Sequence, residues 1–181
     1  MKETAICFEK RGKKMKLTSA EASKMIRQIK DDMALLSAQE KNGCRFVAAT
    51  IENVEEVRPK YSYAETAAKM DEYERRIRAI KHALNLFNAN TKPDGVDMTI
   101  DEILVYLPQL SERLRRLAVM LTAPEKERVE DSGRTSIIEY NYANYDYDAV
   151  RSDYDKLQAL KSRLLTALDV ANNTVSFEVE I

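Results

Sequence analysis

Residues able to do chemistry are scarce in this chain. His82 is its only histidine. A carboxylate-bridged di-iron bundle needs a Glu-x-x-His pair on each of two helices. Here one His stands with Ala at position 79, so that pattern is excluded. Zinc fails for the same reason, because Cys7 and Cys44 are the only cysteines and lie far apart in sequence. A Ser-His-Asp or Cys-His device would have to use His82 without a supporting nucleophile motif. There is no Gly-x-Gly-x-x-Gly and no phosphate loop, and Asp94-Gly95-Val96-Asp97 lacks the ligand spacing of a calcium loop. The expectation is a non-enzymatic protein with no catalytic residue, no metal and no cofactor.

Two basic clusters remain. Arg75, Arg76, Arg78, Lys81 and His82 crowd one helical stretch, and Arg113, Arg115 and Arg116 the next. Positions 75, 78 and 82 lie near one another on a helical wheel, as do 113 and 116. If a helical hairpin aligned them, Arg75, Arg78, His82, Arg113 and Arg116 could bind an anion or an RNA backbone. The competing reading pairs these arginines with Asp71, Glu72, Glu74 and Glu112. The balanced total, a net charge of -1, favours the pairing.

The other concentration is aromatic. Tyr140, Tyr142, Tyr145 and Tyr147 fall within eight residues. Clustered tyrosines can stack on bases or anchor a protein interface. Asp146, Asp148 and Asp153 would repel phosphate, which favours an interface or core role. Tyr140, Tyr142, Tyr145 and Phe177 are therefore the interface candidates.

What positions these residues is a set of long helices. Met70, Tyr73, Ile77, Ile80, Leu84 and Phe87 recur at three- and four-residue steps, the seam of a helix over 63–88. Ser62-x-x-Glu65 opens it as a capping box, after a linker in which Pro59 forbids a regular element. A first helix starts at the Thr18-x-x-Glu21 box and runs to about Gln39, with Asn42-Gly43 expected as a left-handed stop. A third starts at Thr99-x-x-Glu102, carries Ile103, Leu107, Leu110, Leu114, Leu117 and Leu121, and has Pro108 inside it, where a kink is expected. A fourth follows the caps Asp146 or Asp148 with Val150, Tyr154, Leu157, Leu160, Leu164 and Leu168.

Three strands are expected. Arg45–Ile51 is apolar at both parities and reads as a strand covered on both faces. Ile138, Tyr140 and Tyr142 alternate with Glu139 and Asn141, and residues 174–181 alternate strictly. Glu125 to Gly133 reads as a polar connector. The predicted fold is α+β and predominantly α, in the order α-β-α-α-β-α-β. Four long antiparallel helices form a coiled-coil-like bundle with a small three-stranded antiparallel sheet.

Composition sets the remaining bounds. With 181 residues, 44% hydrophobic and 33% charged, four Gly and no Trp, the chain suits one helical domain over residues 15–181. Residues 1–14 read as a flexible basic arm. Lys10-Arg11-Gly12-Lys13-Lys14 before Met15 is also what a purine-rich ribosome-binding site looks like when translated, so Met15 is the alternative natural start. No apolar run approaches the ~20 residues of a membrane span. The first residues are too short in apolar length for a signal peptide. Sparse cysteine points to the cytoplasm, with no membrane partner.

The string Ile80-Lys81-His82-Ala83-Leu84-Asn85-Leu86-Phe87-Asn88, a Thr-containing turn and Asp97-Met98-Thr99-Ile100-Asp101-Glu102 resemble a bacterial family of small helical proteins of unknown function. Some of its members carry the label septicolysin. The resemblance spans most of 15–181 and implies a helical, homo-oligomeric, cytoplasmic protein without an established activity. The label implies a pore-forming cytolysin. This chain departs from that in having no long amphipathic hairpin suited to a barrel, and in placing Leu107-Pro108 inside a helix. The leading functional expectation is a helical scaffold or oligomerisation protein acting through protein–protein contacts. The alternative is a binding module for RNA or another anion through the helix-surface arginines, followed by a novel enzyme and then a cytolysin.

Overall fold

The structure, a computed structural model, describes residues 14–129 and 138–181. In chain order its elements are β1 (Lys14–Thr18), α1 (Ser19–Gly43), α2 (Val54–Val57), α3 (Tyr63–Asn90), α4 (Ile100–Thr122), β2 (Lys126–Arg128), β3 (Tyr140–Tyr142), α5 (Tyr147–Thr174) and β4 (Ser176–Glu180). It is predominantly helical with small antiparallel sheets, and the four long helices fall where capping and periodicity place them.

Each helix starts where a side chain can satisfy amide groups that have no partner within the helix. At α1, Thr18 Oγ1 accepts from the Glu21 N–H at 3.2 Å and Glu21 Oε2 accepts from the Thr18 N–H at 2.8 Å. Thr99 and Glu102 repeat this reciprocal pair at α4, at 3.2 and 2.7 Å. Ser62 Oγ accepts from the Glu65 N–H at 3.4 Å at the start of α3. Of the two candidate caps for α5, Asp146 takes the role, accepting from the Asp148 and Ala149 N–H groups at 2.9 and 3.1 Å.

The chain divides into two compact units. The first takes in the described residues up to Asn88 together with Asn172–Ile181, and the second is Ala89–Ala171. In the first, β1 pairs antiparallel with β4, placing Leu17 opposite Phe177 and Met15 opposite Val179. Alternation puts these four on one face, where Leu17, Phe177 and Val179 are buried. Phe177 stacks on Phe87 of α3 with ring centroids 5.1 Å apart. Ala22, Ile29 and Ile80 are buried with them. In the second unit the buried residues include Ile100, Ile103, Leu110 and Leu114 of α4 and Val150, Leu164 and Leu168 of α5. Each such aliphatic side chain contributes about 1.5–3 kcal/mol on burial.

Five expectations are corrected. Arg45–Ile51 is not a strand: the segment is irregular, with Val47 95% and Ile51 97% exposed. An apolar run becomes a strand only when another strand supplies its ladder. None does here, and Ala48-Ala49 adds little β preference of its own. The sheet is accordingly not three-stranded; β1–β4 and β2–β3 are separate two-stranded ribbons. β1 takes up Lys14, assigned above to the basic arm, while residues 1–13 lie outside the described residues. The connector expected from Glu125 contributes β2, with 130–137 outside the described residues.

Gly43, finally, is not a left-handed stop. It is the last residue of α1, and Cys44 continues in right-handed geometry (φ -70°, ψ -19°) with its N–H on the Glu40 carbonyl at 2.8 Å. The glycine is there for space. A Cβ at this position would lie 3.0 Å from the Tyr61 Cβ.

Candidate functional site

Two of the basic residues of α3, Arg75 and Arg78, are already engaged. Arg75 holds Glu72 through two hydrogen bonds, Nε–Oε2 at 2.9 Å and Nη2–Oε1 at 2.7 Å. Arg78 lies 3.7 Å from Glu74. On α4, Arg115 makes the same fork on Glu112 at 2.9 and 2.7 Å, and this hydrogen bonding holds the Glu112 carboxyl below the usual carboxylate range. These are exposed intrahelical pairs, screened by solvent and of small energetic weight. Their effect on an incoming anion is that each guanidinium arrives with a carboxylate attached. Arg113 and Arg116 lie exposed on α4, in the second unit.

His82 and Phe177, separated by almost a hundred residues, come together at a groove of ≈ 490 Å³ between α3 and β4. It is lined by Ala79, His82, Leu86, Phe87, Phe177 and Glu178 among others. The Phe177 ring is turned into the core, against Phe87. The second unit carries a cavity of ≈ 680 Å³ between the turn at Gly95–Val96 and the α5 residues Ala159, Arg163, Thr166 and Val170. The Arg163 guanidinium donates to the Gly95 carbonyl at 3.2 Å and so ties that turn to α5. Among the described residues, no group of three or more His, Cys, Asp or Glu side chains is placed to hold a metal ion.

The tyrosine tract separates into two pairs. Tyr145 and Tyr147 are half-buried, and their hydroxyls donate to the Met120 and Leu121 carbonyls at 2.6 and 3.0 Å. Tyr140 and Tyr142 stand on β3, 41% and 65% exposed, with ring centroids 6.3 Å apart. The Lys126 ammonium of β2 lies over them, 4.1 Å from the Tyr140 ring centre and 5.3 Å from that of Tyr142.

Comparison with known proteins adds a fold and no activity. No protein-family model matches this chain, and no curated protein is similar to it in sequence. Among solved structures it is similar to the crystal structure of a functionally unknown conserved protein from Corynebacterium diphtheriae. Identity is 16% and the TM-score is 0.53, over 90% of this chain and 99% of that one. At such identity the likeness shows the fold alone. It gives the septicolysin expectation no support. Among the described residues no helix is long and apolar enough to cross a membrane.

The connection between α1 and α3 was legible only as an apolar run, and its surface was missed. Its backbone is pinned locally. The Ala49 N–H donates to Glu52 Oε2 at 2.7 Å, and the Glu52 N–H returns to the Ala49 carbonyl at 3.0 Å. Asn53 caps α2 through the Glu55 N–H at 3.1 Å. Arg58 forks onto Glu55 at 3.0 and 2.7 Å and lies 5.4 Å from the centre of the Phe46 ring. From this ordered loop Val47, Ile51, Val54 and Val57 project into solvent.

Proposed function

We propose that this chain is a non-enzymatic helical scaffold that self-associates and works through protein–protein contacts. The observation that supports it is the loop between α1 and α3. Val47 and Ile51 are 95% and 97% exposed on a backbone held by its own hydrogen bonds. Burying each would gain about 1.5–3 kcal/mol. A loop ordered in advance loses less entropy on docking, so that gain goes further into affinity. Several exposed aliphatic side chains on one ordered segment support its reading as an interaction surface. A cytoplasmic setting and a place among bacterial helical proteins of unknown function belong to the same reading.

The alternative, anion or RNA binding through Arg75, Arg78, His82, Arg113 and Arg116, is weakened by the glutamates that already hold Arg75 and Arg78. Light scattering over a range of concentrations tests the proposal. The wild type should associate and a Val47→Ser/Ile51→Ser variant should not, with the same melting temperature. A wild type that stays monomeric throughout overturns it.

A further inference from the structure

We infer that the β2–β3 ribbon is a binding face for single-stranded nucleic acid, formed by Lys126, Arg128, Tyr140 and Tyr142. Residues opposite each other in an antiparallel pair share a face. The register sets Lys126 opposite Tyr142 and Arg128 opposite Tyr140, while Glu127 faces Asn141 on the reverse side. The ladder runs on beyond both ends, from the Ala143 N–H to the Glu125 carbonyl at 2.9 Å and from the Val129 N–H to the Glu139 carbonyl at 3.0 Å. By the same alternation Glu125 and Glu139 join Glu127 on the reverse side. The ribbon thus separates its charge: both cations and both rings lie on one face, and three carboxylates on the other.

Every residue of β2 and β3 is exposed, so neither strand owes this pattern to a core. Among the described residues Lys126 and Arg128 form no ion pair, unlike Arg58, Arg75 and Arg115. Lys126 rests on the tyrosine rings instead, which orient its ammonium without neutralising it. Of the acidic residues that follow the tract, Asp146 faces the Asp148 and Ala149 amide groups as the cap of α5, and Asp148 and Asp153 lie on α5 rather than on the ribbon.

This combination selects the ligand. Aromatic faces stack on bases of any sequence, and nearby cations hold the phosphates. The two ring centres are 6.3 Å apart. Their planes are tilted by 52° to one another, so each ring is set to take its own base. An acidic peptide would use the cations and leave the rings idle. A duplex would keep its bases away from the rings.

The test is fluorescence anisotropy of a labelled oligouridylate with the full chain at several salt concentrations. Binding should weaken with salt. Lys126→Ala/Arg128→Ala should lower affinity and reduce the log–log salt slope by about 1.4, from about 0.7 per phosphate contact. Tyr140→Ala and Tyr142→Ala should each lower affinity about 5- to 150-fold at unchanged slope. Tyr140→Phe and Tyr142→Phe should retain binding, and so should Glu127→Gln on the reverse face. All these positions are exposed, and matched circular dichroism spectra confirm that the variants fold. Absence of binding at low salt overturns the inference. So does binding that resists Lys126→Ala/Arg128→Ala and each of Tyr140→Ala and Tyr142→Ala, binding lost instead in Arg75→Ala/Arg78→Ala, or equal affinity for polyglutamate or duplex RNA. Self-association is read separately by light scattering, so failure of the scaffold proposal leaves this result interpretable.

Discussion

The Tyr145 hydroxyl donates to the Met120 carbonyl across 2.6 Å. Within a continuing helix that carbonyl would accept from the amide four residues on. Residue 124 is proline and has no amide hydrogen. The tyrosine supplies the missing donor, and Tyr147 does the same for Leu121 at 3.0 Å. The end of α4 is therefore closed by side chains from beyond β3, which fixes where β3 leaves off and α5 begins.

Tyr145→Phe removes only this donor and should destabilise the chain by about 1 kcal/mol, with Tyr147→Phe similar or smaller. Tyr140→Phe and Tyr142→Phe, whose hydroxyls stand on the exposed ribbon, should stay within about 0.5 kcal/mol of wild type. Urea denaturation read by circular dichroism measures all four. Equal losses at all four positions would contradict the division of the tract into closing and displayed tyrosines.

That division marks what the sequence could and could not reveal. Alternation assigned Tyr140 and Tyr142 to one face, because period two is a local property. The cations across from them, Lys126 and Arg128, had no local mark, since they sit in a polar stretch and meet the tyrosines only through the register. The same contrast runs through the fold. The α1 and α4 starts were legible because Thr18–Glu21 and Thr99–Glu102 complete their hydrogen bonds within four residues. β1 was hidden because Lys14–Thr18 becomes a strand only by pairing with Ser176–Glu180, at the far end of the chain. Arg45–Ile51 failed the other way, having the composition of a strand and no partner.

Gly43, Tyr61 and Glu40 form a coupled trio with a signature at high pH. The Tyr61 hydroxyl donates to Glu40 Oε1 at 2.8 Å. That bond first, then desolvation and the Glu40 charge, push the phenol up to about 12. The folded-state value lies above the unfolded one of about 10. The stabilisation is therefore complete below about pH 10 and is lost as the pH rises through 12. Absorbance titration should show one tyrosine ionising late, and Glu40→Gln should bring it back toward about 10. Gly43→Ala should do the same from a distance, by pushing Tyr61 off Glu40. A late tyrosine unchanged in both variants would rule out the coupling.

Phe177 distinguishes a core residue from a surface anchor. Stacked on Phe87 and buried, it should cost about 3–5 kcal/mol on change to alanine. Val47→Ser and Ile51→Ser, at nearly full exposure, should cost about 0.5 kcal/mol or less. Thermal melting orders the three variants. A Phe177→Ala protein as stable as wild type would show that the β1–β4 ribbon does not depend on this contact.

Gly95 is the described residue with positive φ, at 74°, and a Cβ there would meet nothing within 4 Å. Its requirement is backbone geometry alone, where Gly43 requires space. Gly95→Ala should cost about 1 kcal/mol or somewhat more, from the left-handed conformation. Gly95→Asn should recover part of that loss, because asparagine tolerates this region. If alanine and asparagine behave alike in denaturant melts, the turn is not the source of the loss.

The outer face of the β1–β4 ribbon allows its register to be tested by charge. Lys14 lies opposite Glu180, with the pair closing to 3.4 Å, and Lys16 lies opposite Glu178. Glu178→Lys sets two lysines face to face and should destabilise by about 0.2–1 kcal/mol; Lys16→Glu sets two glutamates together with a similar loss. In the double variant the pair is restored in reverse, so the two losses should largely cancel. A register shifted by two residues would pair Glu178 with another position, and the double variant would then carry both losses added. The coupling should shrink in high salt, because the ladder is exposed and screened. Denaturant melts of the two single variants and the double variant, at low and high salt, therefore read the strand register and the electrostatic origin of the coupling together.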